Sequence, residues 1–331
     1  MTLQDEYQIL RVLCCGAFTT TYKVRHRTLG CARAIKVLLR DFDNENDKAY
    51  QTFLKECRVL LMIGNGAHPN IVHINQPRLI GNKALVEMDY VRGCTLDQYL
   101  KSRYFMPIDE VMRFIREIGG ALAYCHHDIY QDQLDPVEDN LKPDPNDATH
   151  YIISDAKRKE LIHKYRVIHN DLHSNNIMRR DYDGNFVLLD FELAIRNDES
   201  YCTDGASEYK APEKWESEQN ISTQSDVYSF GILLYEALTG RVPFVFDPDN
   251  ASNKLAAWAE IRRMHLEEQP APIEPLRRKA FLKANPGQEW KKDYPDWLEQ
   301  MVMKCLAKNS ADRYTDAKEL MDEFNNHTIK D

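Results

Sequence analysis

The sequence predicts an α+β chain with two unlike halves, a small β-rich front carrying one helix and a larger, mainly helical back. Three observations lead there. From Tyr7 to Val37 apolar and polar residues alternate, with Thr, Val, Tyr and Ile enriched, the period-two pattern of half-buried strands. Residues 47 to 64 change period: Phe53, Cys57, Leu60 and Leu61 fall at helical spacing, with charges on the other face, until Gly64 and Gly66 stop the run. After strand-like segments at Ile71 to His73, Pro77 to Ile80 and Ala84 to Tyr90, the stretch Asp109 to His126 and most of the chain beyond Ser225 read as helix.

The elements follow in order. Tight turns at Cys15-Gly16 and Leu29-Gly30 join the first strands into an antiparallel sheet, and the two halves meet near residues 89 to 93. Residues 127 to 166 read as an insertion: an acidic, Pro- and Asp-rich stretch, then a helix opening at Ser154 or Asp155 and running through AKRKELIHKYR. The most apolar stretch, Phe230 to Leu238, contains Tyr235 and Glu236 and is too short to span a bilayer, so it is expected to be a buried core helix. A second irregular region, about 246 to 295, carries a helix near Lys254 to Leu266.

Composition narrows the class. A chain of 331 residues with 43% hydrophobic and 29% charged residues buries a substantial core. Its formal net charge of -9 argues against a general nucleic-acid or anionic-membrane surface, which needs clustered Lys and Arg. The eight cysteines form no CxxC pair and no zinc spacing, so they are expected to be reduced thiols in a cytosolic setting. The start, MTLQDEYQIL, is acidic where a secretory signal needs basic residues, so no export is implied.

Several short motifs recur in a set order. A glycine-containing turn, LCCGAFTT from Leu13 to Thr20, is followed by Ala34-Ile35-Lys36 on a strand and Glu56 on the helix. Then come His169-Asn170-Asp171-Leu172-His173-Ser174-Asn175-Asn176, Asp190-Phe191-Glu192, Ala211-Pro212-Glu213, Asp226-Val227-Tyr228-Ser229-Phe230-Gly231 and Ala311-Asp312-Arg313-Tyr314. Each alone is weak: an isolated Gly16 is usually a turn glycine, and a Glu on a helix is usually solvated. Their joint order, from Tyr7 to Phe324, resembles that of the protein kinase family, and the ADRY ending leans toward its bacterial members.

The resemblance implies a bilobal kinase domain over residues 7 to 325, with an N-lobe at about 1 to 88, a hinge at about 89 to 92 and a C-lobe at about 93 to 331. It implies ATP as phosphoryl donor and Mg²⁺ as cofactor, with Lys36 on the α- and β-phosphates and paired to Glu56. Asp171 would orient the acceptor hydroxyl and take its proton, and Asn176 and Asp190 would hold the metal. Leu13, Ala34 and Met178 would sandwich the adenine beside Gly16 and Thr21 of the phosphate loop; Met88 would be the gatekeeper, and the backbone of Asp89 to Val91 would bond the base. For the apolar residues among these, plain core packing is the competing reading. Leu60, His169 and Phe191 would stack in one apolar column, or be ordinary core, and Glu213 and Arg313 would form a buried ion pair. His126 and His127, closing a helix, read as capping or solvated residues, and Cys14 and Cys15 as unreactive thiols.

The chain departs from the family at definite places. Cys14 and Thr19 stand at two of the three loop glycines and Thr21 at the usual Val, so a β-branched residue held at positive φ would weaken nucleotide binding. Asn170 replaces the arginine that grips a phosphorylated activation loop, so activity independent of such phosphorylation is expected, although Ser200, Tyr201 and Thr203 are either modification sites or ordinary loop residues. Glu192 replaces a glycine and either shifts metal preference toward Mn²⁺ or faces solvent. His173 and Ala206 replace the Lys and Thr usual in serine/threonine kinases, and the DLHxxN form resembles small-molecule phosphotransferases.

Three readings stay open: a protein kinase acting on Ser or Thr hydroxyls of protein substrates, a pseudokinase or nucleotide-binding interaction module, and a small-molecule phosphotransferase. The insertion at 127 to 166 is expected to be either a partner-docking element or a tolerated surface loop.

Overall fold

The computed structural model describes residues 3–16, 18–39, 46–64, 68–80, 83–196, 205–217, 220–245 and 254–329. A short helix α1 (Leu3–Glu6) leads into strands β1 (Tyr7–Cys15), β2 (Thr19–His26) and β3 (Ala32–Leu38), then helix α2 (Lys48–Gly64) and strands β4 (Arg78–Ile80) and β5 (Lys83–Asp89). The five strands make one antiparallel sheet in the order β1-β2-β3-β5-β4. Its alternation sorts side chains between two cores. Tyr7, Val24, Ile35 and Leu85 close a small cluster on one face, while Leu38 joins Phe53, Cys57 and Leu60 of α2 in the main core. Ile71 to His73, expected as a strand, contributes only a single bridge from Ile71 to Leu188, which ties the front half to the back.

Beyond the hinge, β6 (Gly93–Thr95) runs into α3 (Leu96–Arg103), whose start is fixed by a reciprocal cap between Thr95 and Gln98. Helices α4 (Ile108–Phe114) and α5 (Gly120–His126) are continuous through one π-helical turn, Ile115–Gly119. The insertion is not irregular throughout. A 3₁₀ turn (Asp128–Gln133) is followed by a hairpin of β7 (Lys142–Asp144) and β8 (Asp147–Ile152) and then α6 (Asp155–Tyr165), capped by Ser154. Buried Asp139 pins it, accepting from Lys164 Nζ at 2.7 Å and from the Tyr165 hydroxyl.

Short strands β9 (Val167–Ile168), β10 (Ile177–Arg180), β11 (Phe186–Leu188) and β12 (Ile195–Arg196) frame the central loop of this half, with β10 paired between β6 and β11. Helix α7 (Thr223–Thr239) is buried along nearly all its length, as its apolar sequence requires, and packs against α4 and the later helices α9 (Ile273–Ala284), α10 (Asp296–Cys305) and α11 (Ala317–Thr328). Helix α8 (Lys254–Glu267) confirms the segment expected from Lys254. Trp215 packs edge-on against Trp258 of α8, ring centroids 5.0 Å apart, and all four tryptophans (215, 258, 290 and 297) belong to the helical half. Among the described residues no helix is long and apolar enough to cross a membrane.

Candidate active site

The site forms where the sheet, α2 and the central loop of the helical half converge. Lys36 sits on β3, opposite Thr21 of β2 and Val86 of β5, with its side chain turned toward α2. Its ammonium donates to both carboxylate oxygens of Glu56 at 2.8 Å and approaches Asp190 at 3.4 Å and Glu192 at 3.2 Å. Burial disfavours both members of the Lys36–Glu56 pair and pushes the Glu56 carboxyl up to about 7 against the pull of Lys36. The ammonium overcomes its own burial because three carboxylates surround it, and its pKa lies above the usual lysine value. Glu192 therefore turns one carboxylate oxygen inward to Lys36 while its side chain stays partly exposed, and it adds a third anion to the expected constellation. Oxygens of Glu56, Asp190 and Glu192 lie within 4.8 Å of one another.

The second group hangs from the loop after β9. Asn176 Nδ2 donates to the Asp171 carbonyl at 3.0 Å and lies 3.4 Å from Asp171 Oδ2, which leaves the amide oxygen of Asn176 for a cation. The Asn176 carbonyl accepts from Leu189 N–H at 2.8 Å and so sets Asp190 beside it. Carboxylate and amide oxygens of this kind suit a hard divalent ion, so the residues present fit the Mg²⁺ that the resemblance implies. Asp171 also accepts the Ala206 N–H at 3.3 Å, and its other oxygen lies 3.6 Å from His173 Nε2. Burial raises the Asp171 pKa, but His173, His169 and the Ala206 N–H outweigh it, and the group stays below the usual carboxylate value. Its carboxylate is distinguished by placement rather than by strong basicity.

What places this loop is Asp226 in the first turn of α7. Fully buried, it accepts the backbone N–H of His169 at 2.6 Å and of Asn170 at 2.8 Å, and it also receives His126 Nε2 at 2.9 Å. His126 Nδ1 accepts the Ala317 N–H, so the Nε2 carries the proton that Asp226 receives. The expectation that His126 caps or is solvated fails: it is 1% exposed and part of the loop's support. His169 accepts the Asp171 N–H on Nδ1 and donates from Nε2 to the Leu189 carbonyl, and its ring packs tilted against Phe191 with centroids 4.5 Å apart. Tyr209 donates to Glu236 at 2.7 Å and shares a hydrogen bond with Ser174 at 2.9 Å, fastening the segment before Ala211-Pro212-Glu213 to the loop.

The residues expected around adenine are distributed over the cleft as follows. Leu13 lies near the end of β1, exposed, and Gly16 closes the turn to β2 by donating to the Thr19 carbonyl at 2.8 Å. Thr19 lies in β2, and neither it nor Cys14 has positive φ, so neither carries the strain expected of a β-branched residue held there. Ala34 pairs directly with Met88 across β3 and β5. Asp89 N–H is taken by the His73 carbonyl, while the N–H and C=O of Val91 have no partner among the described residues and remain as a donor and acceptor edge. Met178 lies on β10 opposite Thr95, on the far side of the hinge. Glu213 and Arg313 form the expected pair, bidentate at 2.8 and 2.9 Å and buried. Ser200, Tyr201 and Thr203 lie outside the described residues.

Asp226, His126 and the Tyr209–Glu236 contact were not anticipated as supports. The available signal was chemical: Asp226 and Glu236 are carboxylates on a helix otherwise apolar enough to be buried, and such groups need dedicated partners.

Comparison with known proteins follows the same lines. A family model described as protein tyrosine and serine/threonine kinase matches residues 7–324. A probable serine/threonine-protein kinase of Clostridium acetobutylicum is 27% identical over 98% of this chain and 40% of its own length. The probable serine/threonine-protein kinase PknB of Lactococcus lactis is 27% identical over 99% of this chain and 43% of its own. The serine/threonine-protein kinase PrkC of Bacillus subtilis is 25% identical over 96% and 40%, respectively. The chain thus spans about two fifths of the length of these relatives.

Proposed function

The chain belongs to the protein tyrosine and serine/threonine kinase family, and from that premise we propose that it transfers the γ-phosphate of ATP to Ser or Thr hydroxyls of protein substrates. The observation that carries this reading is the closed Lys36–Glu56 pair with Asp190 3.4 Å from the same ammonium, which brings the phosphate-holding cation and the metal-holding carboxylate into one place. Lys36 would anchor the α- and β-phosphates, and Ala34, Met88, Leu13 and Met178 would enclose the adenine, with Val91 and Asp89 as its hydrogen-bonding edge. Asp190 and the Asn176 amide would hold Mg²⁺, which when bound neutralises phosphate charge. Asp171, ionised and fixed by Asn176 and Ala206, would aim the acceptor oxygen in line and receive its proton. The serine/threonine preference rests on what the three bacterial relatives are named.

Phosphoryl transfer from labelled ATP, with Mg²⁺ and then Mn²⁺, tests the reading against Asp171→Ala. Label on protein Ser or Thr that is lost in the variant supports it; label confined to an aminoglycoside would replace it with the small-molecule reading. One observation favours a nucleotide-binding module instead: Glu192 holds a carboxylate 3.2 Å from Lys36, where phosphate oxygens would have to approach. ATP that raises the melting temperature while no acceptor is labelled would establish that alternative. We also propose the insertion as a docking element, because Asp139 holds it in one shape while Val137, 86% exposed, and Ile152 face solvent; unchanged turnover and partner binding after its deletion would reject this.

A further inference from the structure

A cleft of about 570 Å³ opens beside the hinge, and of the residues named above for nucleotide, metal or catalysis only Tyr90, through its place in the hinge segment 89 to 91, lines it. Its roof is the sheet: Arg11 of β1, Lys23 of β2 and Ala32 of β3. Its floor is the hinge, with Tyr90 and Arg92, and Asp181 after β10. Lys23 and Ala32 lie on the same sheet face as Thr21 and Ala34, two residues and so roughly 6–7 Å further along their strands. The cleft therefore continues the underside of the sheet past the nucleotide site to the hinge's outer flank.

Its electrostatics run against the rest of the molecule. In a chain of net charge -9 the lining carries three cations and one carboxylate. Arg92 has Asp181 at 3.5 Å, and Asp89, next to the lining, is matched by Arg33 at 3.8 Å. Arg11 and Lys23 have no carboxylate partner among the described residues. What they share is Tyr90: Lys23 Nζ stands 4.1 Å over its ring and Arg11 Nη2 is 3.5 Å from its hydroxyl. Burial raises the Tyr90 pKa, yet the two cations outweigh it and hold the phenol below its ordinary value, the response of a group in a positive field. Two unmatched cations over an aromatic donor, in a cleft of small-molecule size, make a receptor for negative charge.

We propose that this cleft binds a multiply charged oxyanion, phosphate or carboxylate, with Arg11 and Lys23 as its counter-charges and the Tyr90 hydroxyl as a further donor. An occupant there touches the sheet above and the hinge and Asp181 below, and so ties the two halves of the chain together.

Calorimetric titration of the whole chain with pyrophosphate and, separately, with citrate tests this against the double variant Arg11→Ser/Lys23→Ser and against Tyr90→Phe. The expected result is saturable binding by the wild-type chain, at least tenfold weaker in the double variant and a few-fold weaker in Tyr90→Phe, while an ATP analogue binds the wild type and the double variant alike. Stronger binding of pyrophosphate than of citrate assigns the site to phosphate esters, and the reverse assigns it to acidic side chains or carboxylate metabolites. Equal pyrophosphate affinity in wild type and variants, or no binding of either anion, overturns the proposal. Should the double variant not fold, Lys23→Gln with Tyr90→Phe decides the question by the same comparison.

Discussion

Gly205 lies directly against the carboxylate of Asp171: a β-carbon built on it would stand 2.8 Å from Asp171 Oδ1. Its φ of 125° is also one that side-chain-bearing residues rarely adopt. The neighbouring Ala206 N–H holds the same oxygen, so the segment entering Ala211-Pro212-Glu213 sets the position of the proposed base. Gly205→Ala is expected to lower kcat by about tenfold to a hundredfold through misplacement of Asp171. Nucleotide affinity, measured in parallel, should stay unchanged; a variant with wild-type kcat would show that this contact does not position the group.

Arg313 does more than meet Glu213. Its guanidinium also donates to the carbonyls of Ala307, Lys308 and Gln224, so it knits α7 to the end of the chain. Arg313→Ala leaves Glu213 buried without its charge partner, and a loss of about 3–5 kcal/mol is expected in chemical denaturation. A loss below about 1 kcal/mol would mean that water reaches Glu213 and replaces the guanidinium.

The buried Glu236 gives a dependence on pH. Burial pushes its pKa up from 4.5 to about 7, with the Tyr209 hydrogen bond pulling the other way and Asp97, Lys101 and the His173 imidazole as the titratable groups around it. Between those values the folded chain holds a proton that the unfolded chain has released, so stability is full below pH 4.5 and declines as pH rises through 7. Glu236→Gln cannot lose that proton. Its melting temperature should exceed that of the wild-type chain at roughly pH 8 and converge with it near pH 5; a gap that does not change with pH would locate the titration elsewhere.

Glu192 places a like charge where nucleotide phosphates would lie. Its removal in Glu192→Gln should relieve repulsion on the order of 1 kcal/mol, about fivefold in the affinity for ATP measured without divalent metal. Weaker binding in the variant would instead show that this carboxylate orients Lys36 productively.

Much of this arrangement is legible in the sequence because periodicity and motif order are local. Phe53, Cys57 and Leu60 recur at helical spacing and are all buried on α2, and the run around Phe230 becomes the interior of α7. Lys36, Glu56, Asp171, Asn176 and Asp190 are marked by their motifs, and the chain brings the first two together as expected, with Asp190 beside them. What stays hidden depends on distant partners. A buried histidine looks like a solvated one until Asp226 and Ala317 are known to face it. The π-helical turn at Ile115–Gly119 changes the hydrogen-bond ring without changing composition, and Pro143 and Pro275 mask a hairpin and the first turn of α9. Glu192 turns inward because Lys36 is there to receive it, which the residue type alone does not tell.

The placement of the tryptophans has an optical consequence. With all four in the helical half, intrinsic indole fluorescence reports on that half alone, and the five-stranded sheet is dark to it. A fluorescence melt and a far-ultraviolet dichroism melt would superimpose if the halves open as one cooperative unit, and would separate if the sheet lets go first.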